Sequence, residues 1–160
     1  MKTKLTLLLL IFQLFSCGKD NICGNDGFCA EINGKKWIPV SNDFKNPVLS
    51  AHLIDSNNQF WIGAYKGSSS LLVGVIDSVK RIGVGDYVLA GQICCSGNYQ
   101  ISADNSFRTN TTNSGLLSIT QIDRSKKTIT GKFYFKAHNA VTGEIVDISN
   151  GTFNTNYVEY

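Results

Sequence analysis

From Phe28 onward, apolar and polar side chains alternate with a period of two, the signature of half-buried strands. Phe28, Ala30 and Ile32 alternate with other residues up to Asn33-Gly34, and Trp37 and Ile38 follow. Asn-Gly between such runs predicts a tight hairpin, because both residues accept positive φ. Further runs fall at 48–54, 60–65, 71–76, 87–90, 99–103, 116–122, 129–137, 145–148 and 151–157. Residues 128–137 give the clearest strand: Ile129, Gly131, Phe133 and Phe135 share one face, and Thr130, Lys132, Tyr134 and Lys136 the other. Glycine, asparagine, aspartate and serine separate the runs, with turns expected at 55–58, 66–70 and 123–127. Asn150-Gly151 reads as a second hairpin turn or a strand break. Gly131 inside a strand suggests a bulge or a close backbone approach. The polar segment 104–114 reads as a long mobile loop. No segment shows a helical period. The expected fold is all-β: a single antiparallel β-sandwich or up-and-down barrel of about eight to ten strands over residues 27–160.

The N-terminus follows a different pattern. Lys2 and Lys4 precede an apolar run from Leu5 to Phe15 broken only by Thr6 and Gln13, and Ser16 leads into Cys17. A basic start, a short apolar core and a small residue define a secretory signal peptide over residues 1–16. The run is about half of what a spanning helix needs. With cysteine first after the cut, the segment resembles the lipobox of bacterial lipoproteins. That resemblance implies a diacylglyceryl group on the Cys17 thiol, cleavage before it by signal peptidase II and acylation of the new amine. Phe15 departs from the smaller residue more common at that place. Residues 17–26 then form a polar tether. Gly18-Lys19-Asp20 resembles a short form of the lipoprotein export signal that Bacteroidetes use to reach the cell surface.

Charge and cysteine usage narrow the partners. Residues 1–16 carry two lysines and no acid, so the remainder has 13 basic and 12 acidic side chains and a formal charge of +1. A nearly neutral body gives no electrostatic case for nucleic acid. The charged fraction of 17% lies below the usual quarter, and Ser, Thr, Asn and Gly supply the polar surface instead. Of the five cysteines, Cys23, Cys29, Cys94 and Cys95 remain beyond the anchor. An even number in an oxidising compartment favours disulfides, and four cysteines allow three pairings. Adjacent Cα atoms about 3.8 Å apart disfavour a Cys94–Cys95 bridge. The preferred arrangement joins Cys23 and Cys29 to Cys94 and Cys95, closing loops of about 65 to 72 residues at roughly 4 kcal/mol for the first bridge. Vicinal cysteines fit zinc poorly.

The order of motifs along the chain adds a resemblance. Phe28-Cys29-Ala30-Glu31-Ile32-Asn33-Gly34-Lys35-Lys36-Trp37 opens the domain, and Gly85-Asp86-Tyr87-Val88-Leu89 sits mid-chain. Ile119-Thr120-Gln121-Ile122-Asp123, Ile129-Thr130-Gly131-Lys132-Phe133-Tyr134-Phe135 and Ile148-Ser149-Asn150-Gly151-Thr152-Phe153 close it. This resembles a family of small Bacteroidetes lipoproteins of unknown function, with an A-x-I-N-G-x-x-W hairpin and I-T-x-x-D, I-x-G-x-F-x-F and N-G-x-F strands. The resemblance covers most of the mature chain and implies no activity, substrate or catalytic residue. The Gly34–Trp37 spacing is one residue longer than the lipocalin Gly-x-Trp.

Candidate chemistry is sparse. His52 and His138 are the only neutral-pH bases, and they fall in separate runs. The acids are scattered, and no G-x-S-x-G elbow, phosphate loop or H-E-x-x-H helix occurs. Asp104, Asp123 and Asp147 lack a calcium-loop spacing. Trp61, Tyr65, Tyr99, Phe107 and Tyr134 are aromatics able to stack on sugars or peptides, with a core role the commoner fate. Phe107 stands out beside Arg108 in a polar segment, where folding back over a sheet edge is expected. Asp77-Ser78-Val79 resembles an O-glycosylation tripeptide of that phylum. The expected role is a non-enzymatic lipoprotein of the cell envelope on the outer membrane, periplasmic or surface-exposed, without a cofactor or metal. It holds the membrane through its N-terminal lipid and binds a glycan, peptide, lipid or protein. A small hydrolase with a fold-assembled site and a structural or adhesive module are the alternatives.

Overall fold

The computed structural model describes residues 27–40, 48–54, 58–91 and 94–160. The signal segment, Cys17, Cys23 and the tether lie outside the described residues, as does most of the expected turn at 55–58. No helix occurs among the described residues, and none is long and apolar enough to cross a membrane. Among the described residues there are twelve strands: β1 (Phe28–Ile32), β2 (Lys35–Trp37), β3 (Leu49–Ile54), β4 (Gln59–Lys66), β5 (Ser69–Ile76), β6 (Gly85–Leu89), β7 (Cys95–Ser102), β8 (Asn105–Arg108), β9 (Gly115–Asp123), β10 (Thr128–His138), β11 (Ile145–Asn156) and β12 (Val158–Glu159).

They form one sheet curled into a half-barrel. One arm runs β12-β3-β4-β5-β7-β8, and the other carries β9, β10, β11, β1 and β2, with β6 on the outer edge of β9. The arms meet where β8 touches β10, at the pair Arg108↔His138. Between these strands the pairing is antiparallel except for β12, which lies parallel to β3, and Val40 adds an isolated parallel bridge to Lys66. The all-β expectation holds, with more strands than the expected eight to ten.

Curling brings the two inner faces together. Phe60 of the first arm stacks on Phe153 of the second at 5.9 Å, and Phe28 lies 5.3 Å from Phe133 and 6.2 Å from Trp37. Glycines make room for these rings. Gly131 sits opposite Phe153 and Gly151 opposite Phe133 across the β10–β11 ladder, and in each case a Cβ would strike the ring. Gly97 on β7 takes Phe135 from the other arm in the same way. The close approach expected at Gly131 is thus made, beside a register shift between Thr130 and Gly131.

The Asn33-Gly34 hairpin forms with φ of 50° and 75°, and Trp37 caps the core beside Phe28 as expected. Two expectations fail. Asn150-Gly151 neither turns nor breaks a strand. Asn150, at φ 50°, sits in a bulge within the continuous β11, where the register shifts opposite Tyr134. Residues 104–114 are not simply a loop: β8 forms inside them and pairs with β7, burying Phe107 to 2% exposure against Tyr99 at 6.2 Å. One buried ring outweighs the polar average of the segment.

Candidate ligand-binding face

The pleat of the first arm separates two sets of residues. Ala51 and Leu53 on β3, Phe60, Ile62 and Ala64 on β4, and Leu71, Val73 and Val75 on β5 are buried in the core. The alternate positions therefore point outward: Ser50 and His52, Trp61, Gly63 and Tyr65, Leu72 and Gly74, with Ser96, Asn98 and Gln100 on β7. Register aligns them in rows across the strands. One row reads His52, Trp61, Gly74, Ser96, and the next Ser50, Gly63, Leu72, Asn98.

Trp61 is the centre of this face. Its six-membered ring fills the space that a side chain at Gly74 would take, and its Nε1 donates to Gln59 Oε1 at 3.5 Å. The indole is thus laid across the neighbouring strand and half-buried. A second cluster covers Gly63, where Leu72 Cδ1 and the Tyr65 hydroxyl lie 3.1 and 3.9 Å from the position a Cβ would take. At the other end, β12 places Tyr160 on His52, rings stacked at 5.7 Å and 26°. The Tyr160 N–H donates to the Leu53 carbonyl at 3.0 Å. Tyr160 is 71% exposed, Tyr65 47% and Leu72 36%. Across β3, β4, β5 and β7 the only charged side chain is Lys66, at the end of β4.

The histidines do not come together. His52 lies on this face, whereas His138 ends β10, with its Nδ1 3.0 Å from Asn110 Nδ2 and 3.3 Å from the Arg108 carbonyl. Among the described residues, no group of three or more His, Cys, Asp or Glu side chains gathers to hold a metal ion. Asp123 is occupied by its own turn: the Ser125 hydroxyl and the Ser125 and Lys126 amides donate to it and hold its carboxyl below the usual range. Asp77 is held low by the Val79 and Lys80 amides in the same manner. Asp104 lies in the turn between β7 and β8, and Asp147 lies on β11.

The expected staple is corrected. Cys94 and Cys95 are free thiols, so neither is joined to Cys29. The pleat explains why. Phe28 and Ala30 face the core, so Cys29 between them points to the outer side of β1, beside Thr152 Oγ1 at 3.9 Å. Cys95 instead packs against the core from β7. Burial, then the neighbouring Cys94 thiol, pushes the Cys95 thiol up to about 11.

Of the five aromatics singled out by sequence, Trp61 and Tyr65 share the outer face of the first arm. Tyr134, 56% exposed, lies on the second arm, and Tyr99 and Phe107 turn to the core side, where burial raises the Tyr99 hydroxyl. Sequence reasoning missed Tyr160 and the support that Gly74 gives Trp61. The alternation in residues 60–65 places Trp61 outward. Nothing local pairs it with a glycine thirteen residues away.

A family model described as a domain of unknown function (DUF6252) matches residues 41–155. The match covers most of the described sheet, beginning after the β1–β2 hairpin. No curated protein and no solved structure matches the chain.

Proposed function

We propose that this chain, which belongs to the DUF6252 family, is a lipid-anchored envelope protein that binds a ligand without turning it over. The anchor is Cys17, and the ligand surface is the outer face of β3, β4, β5 and β7. The lipobox-like Leu14-Phe15-Ser16-Cys17 after a short apolar run supports the anchor and an outer-membrane location. Two or three acyl chains, at about 0.8 kcal/mol per buried methylene, hold such a protein durably. The resemblance to Bacteroidetes lipoproteins supports the same placement.

One observation carries the binding reading: Trp61 lies across Gly74 in an uncharged, outward-facing row with His52 and Tyr160. A soluble domain gains little by holding such a row at its surface unless something covers it. Turnover is not expected. The contacts of His138 are an asparagine side chain and a backbone carbonyl, and His52 packs on a tyrosine, so neither histidine is poised by a carboxylate.

Two measurements test this. Intact-mass analysis of the membrane fraction should show a chain starting at Cys17 with added acyl mass; a soluble species with unmodified Cys17 contradicts the anchor. Glycan, peptide and lipid fractions of the envelope are then offered to the wild type and to Trp61→Ala. Retention of one fraction by the wild type alone is expected. Retention of none contradicts the binding face. Hydrolysis of any fraction that disappears in His52→Ala or His138→Ala contradicts the non-enzymatic reading.

A further inference from the structure

We infer that the ligand of this face is a neutral oligosaccharide segment, an assignment that rests on the binding reading above and gives it a chemical class. Three features point to it. The first is the platform. A pyranose ring offers a face of C–H groups that packs on an aromatic plane, and Trp61 is fixed for that purpose. Gly74 beneath removes the side chain that would lift the indole off the sheet, and Gln59 holds its N–H along the strand. Little rotamer freedom remains to be lost on binding.

The second feature is extent. The row Val158, His52, Trp61, Gly74, Ser96 crosses β12, β3, β4, β5 and β7, four inter-strand steps or about 19 Å, with Tyr160 stacked on His52. That suits a chain of sugars better than a single one.

The third feature is polarity without charge. Ser50 and Asn98 flank the row, and Ser96 ends it. Among the described residues, no hydrogen bond within the protein engages the side chains of Ser50, Ser96 or Asn98. Hydroxyls and an amide match the mixed donors and acceptors of sugar hydroxyls. An anionic polymer or a phospholipid surface calls for clustered cations, and these four strands hold Lys66 alone. A peptide added as a strand needs an open sheet edge, whereas this surface is the middle of the sheet.

The test uses the mature lipidated protein in detergent. Binding is measured to immobilised neutral polysaccharides (a glucan, a mannan, a galactan and a xylan) and to polygalacturonate and heparin. The expected result is binding to at least one neutral polymer that changes less than about twofold between about 0.05 and 0.5 M salt. Trp61→Ala and Asn98→Ala should each weaken it about tenfold. Should Trp61→Ala fail to fold, Asn98→Ala carries the test, since it leaves the Trp61 ring over Gly74. Binding confined to the charged polymers overturns the proposal, and so does neutral-polymer binding unaffected by these substitutions. If the wild type instead retains the peptide or lipid fraction through Trp61, the glycan assignment falls and the binding face stands. If nothing is retained, both fall. Reversible pairing of two copies through the face, broken by Trp61→Ala in sedimentation runs without ligand, also overturns the assignment.

Discussion

Both arms of the sheet pair an aromatic ring with a glycine across neighbouring strands, but in opposite senses. On β10 and β11 the rings of Phe133 and Phe153 cover Gly151 and Gly131 from the inside and are almost wholly buried. On β4 and β5 the ring of Trp61 covers Gly74 from the outside and remains half-open. The outer faces differ accordingly. The second arm shows solvent Lys132, Tyr134 and Lys136 on β10 and Asp147 on β11, knit by bonds such as Thr130 to Asn154 at 3.2 Å and Asn150 to Glu31 at 2.9 Å. On the first arm, β3, β4, β5 and β7 show aromatic rings, hydroxyls and amides, with Lys66 at the end of β4. One local device packs a core in one arm and builds a platform in the other, and the direction of the pleat decides which.

The sharpest way to break this comparison is to remove each ring. Phe133→Ala should cost about 3–5 kcal/mol, the usual penalty for emptying a buried phenylalanine site, read from denaturant midpoints. Trp61→Ala should cost only about 1 kcal/mol, the scale of a cross-strand pair on a solvated face, while weakening ligand binding about tenfold. Equal losses of stability would make Trp61 a core residue and end the distinction.

The cysteines give a second, smaller effect. A folded thiol pushed up to about 11 disfavours its thiolate, and an unfolded thiol ionises near 9. Cys95 therefore leaves stability intact below about pH 9, and stability declines as pH rises from there toward 11. Cys95→Ser should flatten that decline. Under native conditions, exposed Cys94 should alkylate well before Cys95, because two units of pKa hold the Cys95 thiolate about a hundredfold scarcer than that of an ordinary thiol. Cys29 carries no free thiol, so a non-reducing peptide map should join it to Cys23. A link to Cys94 or Cys95 would contradict the arrangement of the two arms.

The smallest effect is expected on the second arm's outer face. Lys132→Gln should shift stability by no more than about 0.5 kcal/mol and leave binding unchanged in the same retention assay. A loss of binding would move the ligand surface to the wrong arm.

The sequence displayed most of the fold because its signals were local. Asn33-Gly34 specified its turn through two left-handed residues, and the period-two pattern of residues 128–137 specified β10. What stayed hidden depends on contacts between distant parts of the chain. Phe107 became a core residue only because Tyr99 lies opposite it. Asn150 became a bulge only because β10 runs past it without a gap. The cysteine pairing failed because counting cysteines does not reveal which side of a strand each one faces. The site was half legible: Trp61 and Tyr65 were recognisable as stacking candidates, while the roles of Gly74 and Tyr160 required the register of β4 with β5 and of β12 with β3.

The most direct test of the platform follows the accessibility of one ring. In a Trp37→Phe background Trp61 is the remaining tryptophan, and acrylamide quenching of its emission reports whether its outer side is open. Quenching should be efficient in the free protein and suppressed when the retained polysaccharide is added. Quenching that is weak from the start, or unchanged by every glycan, peptide and lipid fraction, would contradict the account.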